Sequence, residues 1–263
     1  MSYRAIGALP FVCAVLATVF LALVPAAVRP TALHVVAEVV KGLAFVGLAT
    51  GALAFDRGDY LRRGWGLIAL CYAFLLMRDA SIIASPGEAS GTVDFVRGLF
   101  VVVGNAAVVA GTWMLARAWQ VAGLEHVGSR GVRGAALGFA VLASVFFAGP
   151  GLVIDLRYTL AGHAGYYWTV ASDLGDLLAL PVLAPVGMTA LAVKGGTLRW
   201  PWGLLTASLA AWLLYDAALT VPELLGIADQ GAFRLVADGF RVFAATSAFA
   251  AGLAQRKAMR ELV

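Results

Sequence analysis

The chain has 263 residues, 62% of them hydrophobic and 13% charged, with a mean hydropathy of +0.89. A soluble domain carries about 25% charged residues, so this composition excludes a soluble globular fold and, still more, a disordered one. The net charge of +4 comes with no interleaved basic and aromatic surface, and gives no ground for nucleic-acid binding.

Crossing roughly 30 Å of hydrocarbon at 1.5 Å per residue takes about 20 apolar residues. Runs of that length recur at 5–27, 32–55, 64–84, 95–119, 134–155, 166–193, 202–221 and 232–254. The first run ends in Val24-Pro25-Ala26-Ala27, small residues of the kind found at signal-peptide cleavage regions. It is longer than a signal core and is read as a retained span. The expected fold is all-α, a polytopic integral membrane protein with eight transmembrane helices.

Loop charges orient it. With eight spans both termini share a side, and that side carries Arg4, Arg57, Arg62, Arg63, Arg117, Arg130, Arg133, Lys194, Arg199, Arg256, Lys257 and Arg260. The opposite loops hold Arg29 and Arg157 with Glu88, Asp94, Asp155, Glu223 and Asp229. The excess of basic residues predicts cytoplasmic termini, in a bacterial inner membrane. Trp65, Trp119, Trp200 and Trp202 then fall at the inner boundary, and Tyr166, Tyr167 and Trp168 at the outer one, as aromatic belts. Cys13 and Cys71 lie within spans without motif spacing and read as core residues.

Residues 61–85 recur 137 positions later as residues 198–222. Nine positions match without a gap: Leu61/Leu198, Arg62/Arg199, Trp65/Trp202, Gly66/Gly203, Leu67/Leu204, Ala73/Ala210, Leu76/Leu213, Asp79/Asp216 and Ala80/Ala217. An arginine and an aspartate flanking an apolar run do not match through shared greasiness. Spans 2 and 6 align at an offset of 135, setting Glu38 against Asp173 and Lys41 against Asp176. Spans 4 and 8 share Gly98/Gly239, whereas spans 1 and 5 share only hydrophobicity. We expect two tandem four-helix repeats, 1–127 and 128–263, related by a pseudo-twofold along the membrane normal. Gly47 and Gly51 give span 2 a small-xxx-small face suited to close helix contact. Gly149-Pro150-Gly151 is expected to interrupt span 5, and Pro181 and Pro185 to kink span 6.

Eleven ionisable residues fall inside the predicted spans: Glu38, Lys41, Arg78, Asp79, Arg97, Asp173, Asp176, Asp216, Arg234, Asp238 and Arg241. Each costs about 2.5–3.5 kcal/mol at the bilayer centre, so they should face one another or water. All lie in the outer half of their helices. A charged pocket open to the outside follows, with Glu38, Lys41, Asp79, Arg97, Asp173, Asp176, Asp216, Asp238 and Arg241 as candidate ligand-binding residues. Arg78 and Arg97 are close enough to the outer surface to snorkel. Asp79 is expected to pair with Lys41 or Arg97, and Asp216 with Arg234 or Arg241. With five bases and six acids the set nearly neutralises itself, and a network that only fixes helix registry is the competing reading.

No nucleophile motif, phosphate loop or haem ligand pair is present, and the sequence names no cofactor. His34, His126 and His163 are scattered among edges and loops, and the Asp173-x-x-Asp176 pair has no third oxygen-rich motif beside it to make a metal site. The string Leu174-Gly175-Asp176-Leu177-Leu178 is similar to a Gly-Asp-Leu element of eight-span lysoplasmalogenase-type membrane hydrolases. The rest of that pattern is absent, and no catalytic residue is carried over. Three functions are therefore weighed. The first is a receptor, sensor or ligand-binding subunit that takes a small molecule or lipid and acts through a partner protein. The second is a small-solute or ion transporter. The third is a membrane-embedded enzyme acting on lipid through paired aspartates, Asp79 and Asp216. Reporter fusions at Gly128 and Arg260 should both report the cytoplasm; opposite sides would refute the topology.

Overall fold

The computed structural model describes residues 1–25, 27–84, 91–123, 129–192, 196–227 and 231–262. Ala26, Glu88, His126, Gly128, Lys194 and Asp229 lie outside them, as does the Glu223 side chain. The described residues hold eight helices: α1 (Tyr3–Leu23), α2 (Arg29–Ala52), α3 (Tyr60–Ala84), α4 (Gly91–Val121), α5 (Arg130–Leu160), α6 (Tyr167–Ala192), α7 (Arg199–Leu224) and α8 (Gly231–Leu262). A single 3₁₀ turn, Ala164–Tyr166, precedes α6.

Helices α1 to α7 are each long and apolar enough to cross a membrane. Helix α8 is as long but less apolar, so seven of the eight expected spans are apolar enough to cross a membrane by length and composition alone. The reason is its side-chain set, which includes Arg234, Asp238, Arg241, Gln255 and Arg256. Yet α8 is the most deeply packed element, with Ala244, Ala245, Ala248, Ala251 and Ala254 all fully buried. It needs little apolar surface because it shows little surface at all. Helices α1 and α5 do the opposite, exposing Phe11, Leu16, Phe20, Phe139, Leu142 and Phe146. So broad an apolar exterior needs a lipid solvent. The chain is an integral membrane protein.

Six helices form a closed ring in the order α2, α3, α4, α6, α7, α8 and back to α2. Helix α1 packs outside it on α8, and α5 on α6 with a lighter contact to α7, so the two outer helices lean on different ring members. Small residues close the ring. At the α2–α8 crossing a Cβ on Gly252 would fall on the Gly47 backbone, and one on Gly51 would come 3.0 Å from Gly252 Cα. At the α3–α4 crossing a Cβ on Gly111 would meet Gly64 O at 2.8 Å. Such contacts let backbones approach where lipid supplies no hydrophobic drive.

Proline breaks none of these helices. Helix α5 runs continuously through Pro150, and α6 through Pro181 and Pro185. The expected interruption at Gly149-Pro150-Gly151 is corrected: in an apolar solvent an unwound turn would leave more backbone groups unpaired than the proline does. Helix α5 ends instead at Leu160, just before Gly162, whose φ of 92° suits a residue without Cβ. Ser2, Asp59 and Ser129 accept backbone N–H bonds at the starts of α1, α3 and α5.

The two chain ends meet. The Tyr3 hydroxyl donates to Glu261 Oε2 at 2.7 Å, Lys257 pairs with Glu261 at 2.7 Å, and Tyr3 stacks on Trp200. The Lys257 and Tyr3 hydrogen bonds hold the Glu261 carboxyl below its ordinary range. Replacing Gly252 by alanine should lower thermal stability in nanodiscs by about 1–3 kcal/mol, through overpacking of two backbones. Gly42→Ala, on the same α2 but facing open space, should leave melting unchanged or slightly raised.

Candidate ligand-binding site

A cavity of about 290 Å³ occupies the interior of the ring, lined from all six of its helices. Helix α2 contributes Lys41, α3 Tyr72 and Arg78, α4 Asn105, α6 Asp176, α7 Trp212, Tyr215 and Asp216, and α8 Arg241. Along α3 the lining runs from Ile68 to Arg78, about 15 Å of helix. Its charged groups gather toward the end opposite the termini, and its deeper walls are Ile68, Val108, Leu205 and Leu209.

Lys41 is 3% exposed, and its ammonium bonds Glu38 Oε1 at 3.2 Å and the Asp79 carboxylate. Arg78 Nε donates to the other Asp79 oxygen at 2.7 Å. Arg241 pairs with Asp238 at 2.7 Å, and its guanidinium lies 5.6 Å from the centre of the Tyr215 ring, while its buried Nε has no protein partner among the described residues. Asp176 and Asp216, on the neighbouring helices α6 and α7, both line the cavity, near enough to each other to interact. Deeper still, Trp212 Nε1 donates to the Tyr72 hydroxyl at 3.0 Å, which meets Ser208 Oγ at 3.3 Å.

Four of the nine candidate residues therefore line the cavity: Lys41, Asp176, Asp216 and Arg241. Three more stand behind them, Glu38 and Asp79 against Lys41 and Asp238 against Arg241. Two lie elsewhere. Arg97 reaches Ser81 Oγ at 3.1 Å, the Ser81 carbonyl at 2.8 Å and Asp94 at 3.6 Å, between α4 and the end of α3. Asp173 turns toward α5, where its carboxylate would lie 3.5 Å from a Cβ on Gly151. Three residues apart on a helix is about 300°, enough here to send Asp173 and Asp176 to different neighbours. They form no metal pair, and no group of three or more His, Cys, Asp or Glu among the described residues could hold a metal ion.

The expected partners are corrected too. Asp79 takes Lys41 and its own neighbour Arg78, while Asp216 takes Asp176 in place of Arg234 or Arg241. Arg234 is exposed. Arg78 belongs to the cavity; its outer position suggested a surface group, and its facing decided otherwise. Tyr72, Ser208, Trp212 and Tyr215 carried no charge or motif to signal them.

The other end of the ring is filled. Trp65 and Trp202, the matched tryptophans, meet edge-to-face at 6.1 Å, and Trp119 lies 5.3 Å from Trp202. All three are interior, at 0%, 4% and 6% exposure, which corrects their assignment to a lipid-facing belt. Thr112, Thr189, Thr206 and Thr246 each donate to the carbonyl four residues earlier on their own helix. Their hydroxyls are spent locally.

Comparison with protein families, with characterised proteins and with solved structures finds no match, so the functional reading rests on the site itself. Removing Asp79 strips the buried Lys41 and the half-buried Arg78 of a shared partner, and Asp79→Ala should cost about 3 kcal/mol in thermal unfolding. Asp94→Ala, which removes an exposed carboxylate 3.6 Å from Arg97, should cost under about 1 kcal/mol.

Proposed function

We propose that this protein is a receptor-like, ligand-binding membrane subunit whose axial pocket takes an amphipathic small molecule with an anionic head. The observation that carries this reading is the convergence of Lys41, Arg78 and Arg241, from three different helices, on one cavity with apolar walls beneath. The three bases lie within range of mutual repulsion, and an anion seated among them relieves it. The unpartnered Arg241 Nε supplies a donor for it. A cavity near 300 Å³ is at the small end of ligand pockets.

In this reading α8 is an eighth crossing, since Arg241 lines the pocket while Glu261 meets Tyr3 at the opposite end of the bundle. The termini are cytoplasmic by the loop charges, so the pocket faces outward. The proposed duplication is supported by the ring order, which is unchanged when α2, α3 and α4 exchange with α6, α7 and α8. It is supported again by the Lys41–Asp79 and Asp176–Asp216 contacts, which join aligned positions in the two halves. One is an ion pair and the other a carboxyl pair, so the pocket would be built by a symmetric backbone and charged asymmetrically. Transport finds less support, because three tryptophans fill the ring below the pocket and the threonines there are already satisfied.

One observation favours a second reading, a membrane-embedded hydrolase. Asp176 and Asp216 lie near each other on the pocket wall, an arrangement that would serve as a general acid beside a general base. The residues concerned are then Asp176 and Asp216, with Asp79 engaged elsewhere.

In nanodiscs, octanoate or octyl phosphate should bind and raise the melting temperature, and octylammonium should not. Arg78→Gln and Arg241→Gln should each weaken binding roughly tenfold or more, the range for a charge-assisted hydrogen bond. Equal binding of the amine, or unchanged affinity in both variants, would defeat the reading. Cleavage of a bound lysolipid that is lost in Asp216→Asn would shift it to catalysis.

A further inference from the structure

A second cavity, of about 450 Å³, lies at the end of the bundle that carries the termini, outside the ring. Helices α4 and α5 follow each other in sequence but do not pack along their length, and α6 packs against both. The result is a slot whose floor is α6 around Pro185 and Thr189, and whose walls are Trp119 and Gln120 of α4 and the first turns of α5. The mouth carries Arg130 and Arg133, and neither has an ion-pair partner among the described residues. No carboxylate among the described residues lines the cavity. The Trp119 indole N–H, in a side chain 94% buried by its 6% exposure, has no protein acceptor among the described residues. Above the mouth α5 shows Leu142, Val145 and Phe146 to lipid.

We infer that this slot holds an anionic phospholipid from the leaflet on the side of the termini. Its phosphate would sit between Arg130 and Arg133, at the positive N-terminal end of α5, and an acyl chain would run along the gap between α4 and α5. A cationic mouth opening onto an apolar groove fits the two halves of such a molecule, and basic pockets between transmembrane helices recognise lipid headgroups by this means. A free anion would use the arginines and leave the groove empty. A zwitterionic lipid would fill the groove and bring its ammonium to the arginines. The occupant bridges α4 to α5, whose helices lack direct packing, and so ties the outer helix α5 to the ring.

The test is retention of lipid on the full-length protein released from nanodiscs into native mass spectrometry. The nanodiscs contain phosphatidylglycerol or cardiolipin mixed with phosphatidylethanolamine. One or a few anionic lipids should stay bound in preference to phosphatidylethanolamine. The double variant Arg130→Gln/Arg133→Gln should lose roughly ten- to thirty-fold in affinity, from about two surface charges' worth of attraction. Gly134→Leu, whose side chain enters open space and removes no charge, should block the slot while the protein still folds. Lys41→Gln, in the axial pocket, should leave this lipid in place, so failure here is separable from failure of the pocket reading. Wild-type retention in both slot variants, no preference over phosphatidylethanolamine, or displacement by millimolar inorganic phosphate would each overturn the inference.

Discussion

Charged side chains cannot be turned toward hydrocarbon, and the bundle is arranged around that prohibition. Lys41, Arg78, Asp176, Asp216 and Arg241 come from five helices and meet on one axial cavity. The bases near it have acidic partners that keep their desolvation tolerable: Asp79 for Lys41 and Arg78, and Asp238 for Arg241. A buried pair of this kind adds little net stability relative to apolar packing, but breaking one is costly. The network therefore acts mainly on arrangement. It selects the rotation of each helix about its own axis, because any other rotation carries a charge into lipid.

Packing supplies what electrostatics does not. The glycine crossings of α2 with α8 and of α3 with α4 bring backbones together and close the ring. The tryptophans Trp65, Trp119 and Trp202 fill it at one end. The other end is left with a cavity because its lining residues are held outward by their partners: Arg241 by Asp238 and Tyr215, and Arg78 by Asp79. The same chain thus builds a solid half and a hollow half from helices of similar composition.

The helices themselves were legible from apolar run length, and depth followed by counting residues from each end. Facing was only partly legible. The i,i+3 spacing of Glu38 and Lys41 predicted a real contact, since it depends on one helix alone. Depth alone points Asp216 to an arginine of α8, whereas the fold sets it beside Asp176 of α6, because partner choice depends on neighbour order, which run length does not encode. Arg97 and Asp173 have the right depth and the wrong side. Trp65 and Trp202 were read as belt residues at the right level, and their rotation into the ring was invisible to a count along the chain. Pro150 shows a further limit, because its tolerance depends on a solvent that offers an unwound turn no alternative partner. Helix α8 shows the converse, its modest hydropathy reflecting how little of it meets lipid.

The central claim is that the hollow half of the ring holds a molecule by its charged head. The most direct measurement is a density map of the protein in a native-lipid nanodisc, at a resolution that separates side chains. An elongated density is predicted, its head against Lys41, Arg78 and Arg241 and its body along Leu205 and Leu209. A cavity collapsed onto itself, or one containing only ordered water between fully paired charges, would contradict the account and leave the network as a device for helix registry alone.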